Sequence, residues 1–234
     1  MATIKVMSGG APKEVFLALT SAFEKQSGHT VSYSFAVMSA LRDRLAGGEA
    51  ADVLVMPTNI LDGYEKSGAV RGKGRGVLGL VSVSAVVREG APKPDIATAD
   101  ALRATLLAAK SIAYSDSGSG TYLSKTLFPK LGIADRIAAK SRKVRGPPSG
   151  EPVAAVVARG EAEVGFQQVS ELIHVPGVTY VGTIPAELQP GFSFAGAVTT
   201  QAREPDAGAA LLRFLSSPEA APVLVKAGLT PPGM

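Results

Sequence analysis

Cysteine is absent from all 234 residues of the sequence. A chain without cysteine has no disulfide framework, no thiolate nucleophile and no thiolate metal ligand. The two histidines, His29 and His174, stand far apart and lack the HExxH spacing of a zinc site. The GxGxxG motif and the lysine of a phosphate-binding loop are missing as well. The sequence therefore predicts no metal and no other cofactor.

Tryptophan is also absent, and aromatic residues make up only 6% of the chain. The net charge is +4, but the basic residues are mostly scattered and are not interleaved with aromatic rings. Nucleic-acid surfaces combine a basic stripe with rings on which bases stack. We therefore predict no nucleic-acid partner, whereas a modest positive charge suits a small anionic ligand.

Long apolar runs are missing too, since none approaches the roughly 18 residues of a membrane span. The sequence starts directly on a strand-like segment, Thr3–Met7, without a charged and apolar leader before it. We expect a periplasmic protein if a signal peptide has been removed and a cytoplasmic one otherwise, and we favour removal. A monomer is expected.

What the sequence does contain is an alternation of short β-like runs and amphipathic helical stretches. Strands are predicted at Ile4–Met7 and Asp52–Met56, and helices at Thr98–Ala109 and Pro152–Arg159. The β-branched run Val77–Arg88 is predicted to be extended. This alternation is typical of an α/β fold whose sheets are mostly parallel and flanked by helices.

Four strand-like segments lead into turns of small residues at predicted helix starts. Helix N-termini carry unpaired N–H groups and the positive end of the helix dipole, so such turns are natural seats for an anion. The alternative is that they are ordinary turns with a capping hydroxyl. The candidate ligand-binding residues are Ser8, Gly9, Gly10, Ala11, Met38, Ser39, Ser117, Ser119, Gly120, Thr121, Tyr122, Pro152 and Val153, together with the strand-end amides Gln167 and Gln168.

Candidate catalytic residues lie beside the same turns. Glu151 precedes a predicted helix, and Asp116 and Tyr122 flank the serine- and glycine-rich segment. Each is a candidate acid or base if it lies near a ligand. The alternative is that the two carboxylates only stabilise the first turn of a helix.

Several segments together resemble the periplasmic molybdate- and tungstate-binding proteins of ABC transporters. The resemblance covers nearly the whole chain and is carried by residues 23–28, 48–53, 130–132, 159–165 and 214–220. It implies a two-lobed type II periplasmic-binding-protein fold with two hinge crossovers. The lobes are expected at residues 1–80 with 197–234 and at residues 81–196, with hinges near 79–83 and 195–199.

The resemblance also implies that hydroxyls and backbone N–H groups hold an oxyanion between the lobes. Ala11 stands where the family has a serine, and Ala36-Val37-Met38-Ser39 replaces its serine-rich second loop. Gln168 stands in the position of a family tyrosine. A pocket that contains Met38 and paired glutamines suits a larger, partly apolar ligand such as a small di- or tricarboxylate.

Three functions follow from this resemblance. The first is a solute-binding protein that captures a small anion, an oxyanion or a carboxylate, by lobe closure and delivers it to an ABC transporter permease. The second is an aconitate isomerase-like enzyme, which shifts an allylic proton of a tricarboxylate without a cofactor. The third is an anion-sensing module.

Overall fold

A computed structural model of the chain describes residues 1–116 and 118–233. It divides the chain into two units, one formed by Met1–Val81 and Phe192–Met234 and the other by Ser82–Gly191. The chain thus passes between the units at 81–82 and 191–192. The sequence prediction placed the second passage at residue 197, but the strand that begins at Phe192 pairs along its whole length within the first unit.

Both units are built from short strands and helices that alternate along the chain. The strands are β1 (Thr3–Ser8), β2 (Thr30–Phe35), β3 (Val53–Pro57), β4 (Gly76–Val81), β5 (Val83–Arg88), β6 (Ile112–Ser115), β7 (Ser141–Val144), β8 (Val164–Gln168), β9 (Val178–Thr183) and β10 (Phe192–Val198). The α-helices are α1 (Lys13–Ser27), α2 (Met38–Ala46), α3 (Thr58–Lys66), α4 (Ala99–Ala108), α5 (Ser119–Tyr122), α6 (Phe128–Lys130), α7 (Ala134–Ile137), α8 (Val153–Ala158), α9 (Val169–Leu172), α10 (Pro205–Leu215) and α11 (Ala221–Lys226). Leu123–Leu127 form a π-helix between α5 and α6, and three 3₁₀ segments lie at Ala138–Lys140, Ala186–Leu188 and Pro218–Ala220.

The first unit is a five-stranded sheet in the order β2-β1-β3-β10-β4. Strands β1, β2 and β3 are mutually parallel, and β10 is antiparallel to both β3 and β4. Because alternate residues of a strand face opposite sides of the sheet, Leu54 and Met56 pack with α2 and α3 on one face. On the other face Gly196 lets Leu212 of α10 approach so closely that a Cβ atom at this position would clash.

The second unit repeats this arrangement with the order β7-β6-β8-β5-β9. Strands β6, β7 and β8 are parallel, and β5 runs antiparallel to β8 and β9. Helices α8 and α9 cover one face through an apolar cluster that includes Val86, Val153 and Leu172. Tyr114 packs edge-on against Phe128, with ring centroids 5.5 Å apart.

The structure confirms the predicted fold class, a two-lobed α/β protein with sheets flanked by helices. Each sheet has four strands in one direction and one strand in the other, so both sheets are mixed. Among residues 1–116 and 118–233, no helix combines the length and the apolar character that crossing a membrane requires.

Candidate functional site

The first predicted loop follows β1 in the first unit. Ser8 is fully buried, and its hydroxyl donates to the carbonyl of Gly9 at 3.0 Å. The Gly9 N–H donates to the Val55 carbonyl of β3, also at 3.0 Å. Gly10 is half-buried, and Ala11 is buried with no hydroxyl to offer. The loop is therefore fixed by backbone contacts to the next parallel strand.

The second predicted loop lies beside the first, because β1 and β2 are parallel and pair up to Ser8 and Phe35. Met38 is half-buried and begins α2, whereas Ser39 is exposed. A Cβ atom at Gly9 would lie 2.9 Å from the Met38 methyl group. The Met38 side chain thus fills the space beside the first loop, which gives this part of the unit an apolar character.

The third predicted loop, in the second unit, joins β6 to α5. Asp116 is exposed and Ser117 lies outside the described residues. Ser119 is buried, and Thr121 is exposed. The Gly120 N–H donates to the Ser115 hydroxyl at 3.1 Å, and a side chain at Gly120 would clash with the Ser115 carbonyl. Glycine is required here because the backbone folds back onto the end of β6.

Tyr122 ends this loop and fixes it to a distant part of the same unit. Its hydroxyl donates to the Leu188 carbonyl at 2.7 Å, and burial raises its pKa. The phenol proton is therefore held by a backbone acceptor, which weakens the predicted role of Tyr122 as an acid or base.

We expect Tyr122→Phe to lower stability modestly, because the Leu188 carbonyl loses its donor. A hydrogen bond of this kind contributes about 1 kcal/mol, which corresponds to a fall of about 2–4 °C in melting temperature. Calorimetry of the two proteins checks this, with the exposed Tyr180→Phe as the matched control. A Tyr122→Phe variant that melts with the wild type would contradict the structural role assigned to the hydroxyl.

The fourth predicted loop precedes α8. The Val153 N–H is buried and donates to the Gln167 side-chain oxygen at 3.2 Å, and the half-buried Pro152 precedes it. Glu151 accepts two hydrogen bonds from the Arg159 guanidinium, at 2.6 and 2.8 Å. These hydrogen bonds lower the pKa of the Glu151 carboxyl. A carboxylate held in this way is a weak base.

The two strand-end glutamines of β8 are both buried, as Gln167 is 5% and Gln168 6% exposed. The Gln167 side-chain oxygen accepts a hydrogen bond from the Val153 N–H, which brings these two predicted candidates into contact. Glu171, a carboxylate that was not singled out from the sequence, follows three residues after Gln168 in α9.

Glu171, in α9, is the functional candidate that sequence reasoning missed. Its side chain is half-buried, and burial raises its pKa to about 7, while the hydrogen bond from Gln167 acts in the opposite direction. An acidic residue three positions after the pair of strand-end amides was the available signal. No helix was predicted at α9, because four residues are too few to show a period.

Two buried hydroxyls, one on β5 and one on α9, have no hydrogen-bond partner within the described part of the chain. They belong to Ser84 of β5, which is fully buried, and to Ser170 of α9, which is 4% exposed. Ser84 lies directly opposite Gln167 in the β5–β8 ladder. Buried hydroxyls normally find a partner, so these two groups are exceptions in the interior of the second unit.

Metal binding has no structural support among residues 1–116 and 118–233, where no group of three or more histidine, aspartate or glutamate residues is placed to hold an ion. The chemistry available at these loops is that of hydroxyls, amides, backbone N–H groups and one carboxyl group with a raised pKa.

The two five-stranded mixed sheets and their strand-end loops define a binding protein of the type II periplasmic class. The chain belongs to the family of bacterial extracellular solute-binding proteins, whose model matches residues 4–230. It is 42% identical to an aconitate isomerase of a Pseudomonas species over 234 residues, covering 98% of this chain and 88% of that protein.

Solved structures show the same fold. The periplasmic molybdate-binding protein of Azotobacter vinelandii matches with a TM-score of 0.78 at 18% identity, over 98% of this chain and 99% of that one. The sulfate-binding protein of Mycobacterium tuberculosis H37Rv matches with a TM-score of 0.75 at 18% identity, over 100% of this chain and 88% of that one. The predicted resemblance to the molybdate- and tungstate-binding family and its aconitate isomerase-like branch is confirmed.

Proposed function

We propose that this protein binds a small tricarboxylate and interconverts cis- and trans-aconitate by a cofactor-free allylic proton shift. The observation that carries the proposal is the 42% identity with an aconitate isomerase along 98% of the chain. An identity of this size over both units makes a shared ligand class the simplest account.

The loops of the first unit support a ligand larger than an inorganic oxyanion. Ala11 has no hydroxyl, and Met38 packs its methyl group against Gly9. Contact with apolar side chains such as Ala11 and Met38 favours binding of an anion with a carbon skeleton. A tetrahedral inorganic oxyanion instead needs hydrogen-bond donors on all sides.

The second unit supplies groups that suit carboxylates and proton transfer. Amide and hydroxyl groups at Gln168, Ser119 and Thr121 are neutral donors at or near strand ends. Glu171 supplies a carboxyl group whose pKa of about 7 lies near the operating pH of most enzymes, which is the condition for an effective base.

A second candidate function is capture of an anion for an ABC transporter permease in the periplasm. The match of residues 4–230 to the extracellular solute-binding family favours it. In this proposal the loops that follow the strands bind the anion, and the protein delivers it to the permease.

The experiment that separates these functions is a ligand screen followed by an isomerisation assay. Melting temperatures are measured with cis-aconitate, trans-aconitate, citrate, molybdate, tungstate, sulfate and phosphate. A ligand at 100 times its dissociation constant adds about 2.7 kcal/mol to stability, which corresponds to a rise of about 5–10 °C. We expect this rise with the aconitates and not with the metal oxyanions.

The aconitate isomers are then followed over time by proton NMR. Conversion that depends on the protein supports the isomerase. Stabilisation by aconitate without conversion supports a carboxylate-binding protein, and stabilisation by molybdate or tungstate alone supports oxyanion capture.

A further inference from the structure

A separate pocket lies within the first unit, beside helices α2 and α3. It has a volume of about 320 Å³, and its surface is mainly apolar, with atoms of Leu45, Ala51, Leu54, Tyr64 and Ala69. We call it the α2–α3 pocket. Its volume falls within the range of small-molecule sites, about 300–1,000 Å³. None of the residues predicted to bind a ligand lines it.

The α2–α3 pocket lies at the opposite edge of the sheet from the candidate loops of this unit. Ala51 precedes the amino end of β3, and Thr199, which also lines the pocket, follows the end of the antiparallel β10. The candidate loops follow the carboxyl ends of β1 and β2. A ligand of this pocket would therefore bind apart from a ligand of those loops.

Hydrogen bonds between neighbouring segments hold the walls of the pocket in place. The Thr199 hydroxyl donates to the Ala51 carbonyl at 2.6 Å, and the Thr199 N–H donates to the Asp52 carbonyl at 2.9 Å. The Thr200 N–H donates to the Ala69 carbonyl at 3.0 Å. Because these contacts already fix the walls, a ligand would not have to order them on binding, which favours affinity.

Glu49 contributes the only carboxylate among the side chains that line the pocket, and its charge is compensated by neighbouring cations. The Arg44 guanidinium donates to both Glu49 oxygens at 2.7 Å. The Lys5 ammonium group lies 3.2 Å from one of these oxygens. Two cations thus face one carboxylate, so Glu49 does not give the pocket a negative charge.

Three other polar side chains line the pocket: the Arg42 guanidinium, the Tyr64 hydroxyl and the Gln201 amide. Within residues 1–116 and 118–233, none of the three takes part in a hydrogen bond or an ion pair. All three can donate hydrogen bonds, and Arg42 carries a permanent positive charge. The pocket therefore combines apolar walls with one unpaired cation and two further donors.

From this combination we infer that the α2–α3 pocket is a second ligand site, which binds a small organic monocarboxylate with an apolar body. The apolar body would contact Leu45 and Leu54, and the carboxylate would pair with Arg42. A neutral apolar molecule would leave the cation without a partner, and an organic cation would be repelled by it. A tricarboxylate would bring charged groups against the apolar walls, which is unfavourable.

The first test is a calorimetric titration of the whole protein with benzoate, an aromatic monocarboxylate of suitable size. We expect saturable binding with a dissociation constant of about 0.1–10 mM, as is usual for a ligand of so few atoms. Benzyl alcohol should bind at least several-fold more weakly, and benzylamine should not bind. Absence of saturable benzoate binding up to about 20 mM, or equal binding of benzylamine, would overturn the inference.

The second test removes the cation. Arg42→Gln should weaken benzoate binding by about three- to tenfold, the loss expected for one charge-assisted contact near the surface, without changing the melting temperature. Arg213→Gln is the matched control, because Arg213 is exposed in α10, which packs on the other face of the sheet. If both variants bound benzoate like the wild type, Arg42 would not be the anion-binding group and the inference would fail.

The third test locates the site. Ala69 is half-buried and lines the pocket, so the larger side chain of Ala69→Leu should occupy part of the space and weaken benzoate binding by tenfold or more, about the effect of filling a small pocket. Saturating the protein with cis-aconitate should leave the dissociation constant of benzoate unchanged. Benzoate binding that aconitate abolishes, or that Ala69→Leu leaves intact in a folded protein, would place benzoate elsewhere and overturn the inference.

Discussion

Glu171→Gln should make the protein more stable at pH 8. Burial raises the pKa of this carboxyl group from 4.5 to about 7, so the folded state holds the proton more tightly than the unfolded state does. As the pH rises from 4.5 through 7, the folded protein loses stability, because a charge must then be buried. The glutamine never carries that charge.

The size of this effect follows from the pKa difference of about 2.5 between the two states. At about 1.4 kcal/mol per pKa unit, the charge lowers the free energy of unfolding by about 3 kcal/mol above pH 7. Glu171→Gln should therefore raise the melting temperature by about 5–10 °C at pH 8, with the gain vanishing below pH 4.5. Calorimetry across pH 4–8 compares the melting temperature of Glu171→Gln with that of the wild type and of Glu187→Gln. Glu187→Gln is the control, because it replaces an exposed carboxyl group of the same unit. Identical pH dependence of stability in wild type and Glu171→Gln would contradict the raised pKa.

Asp52→Ala should cause the largest loss of stability among polar substitutions in the first unit. The Asp52 side chain is 5% exposed and accepts hydrogen bonds from the backbone N–H groups of Lys5, Arg203 and Glu204, at 2.8, 2.7 and 3.1 Å. It thereby connects β1, the start of β3 and the segment before α10. Alanine leaves three N–H groups without their acceptor.

Each orphaned donor costs about 1–3 kcal/mol, so we expect Asp52→Ala to destabilise the protein by about 3–5 kcal/mol and lower the melting temperature by about 10 °C or more. Asp52→Asn is the matched control, since its side-chain oxygen can still accept some of these hydrogen bonds, and it should lose clearly less stability.

Asp52 lies at the amino end of β3, whereas the candidate loops of this unit follow the carboxyl ends of β1 and β2. Aconitate binding by the folded fraction should therefore be unchanged. If Asp52→Ala melted at nearly the same temperature as the wild type, the stabilising role assigned to Asp52 would be wrong.

Most elements of the fold were predictable from local patterns. The helix predicted at Pro152–Arg159 is observed at Val153–Ala158, and the strand predicted at Asp52–Met56 is observed at Val53–Pro57. Their signals, a proline at the helix start and a short run of apolar residues, act over a few residues and need no tertiary context.

The crossing near Ser82 was only partly predictable. The run Val77–Arg88 was predicted as one extended segment, and both of its halves are strands. They belong to different sheets, because β4 pairs with β10 and β5 pairs with β8 and β9. A continuous β-branched run contains no local signal that marks the residue at which one strand ends and a strand of the other sheet begins.

The candidate site was predicted less completely than the fold. The loops were found from their glycines and hydroxyls, but the partner of each side chain depends on packing. Glu151 was one of three candidate acids or bases and pairs with Arg159 in the structure, while Glu171 was not singled out. The pKa of a carboxyl group is set by burial and by its neighbours, and neither follows from its position in the sequence.

The way in which each sheet is completed has a consequence for the order of folding during synthesis. The second unit is one uninterrupted stretch of chain, so its five strands are synthesised one after another and can pair as soon as the last has left the ribosome. The sheet of the first unit cannot be completed at that stage, because β10 lies between β3 and β4 and is synthesised only after the whole second unit. Until then β3 and β4 have no strand between them and expose unpaired edges. The nascent first unit is therefore the stage at which this protein most needs protection from aggregation, and the inserted unit is the part that can fold ahead of it.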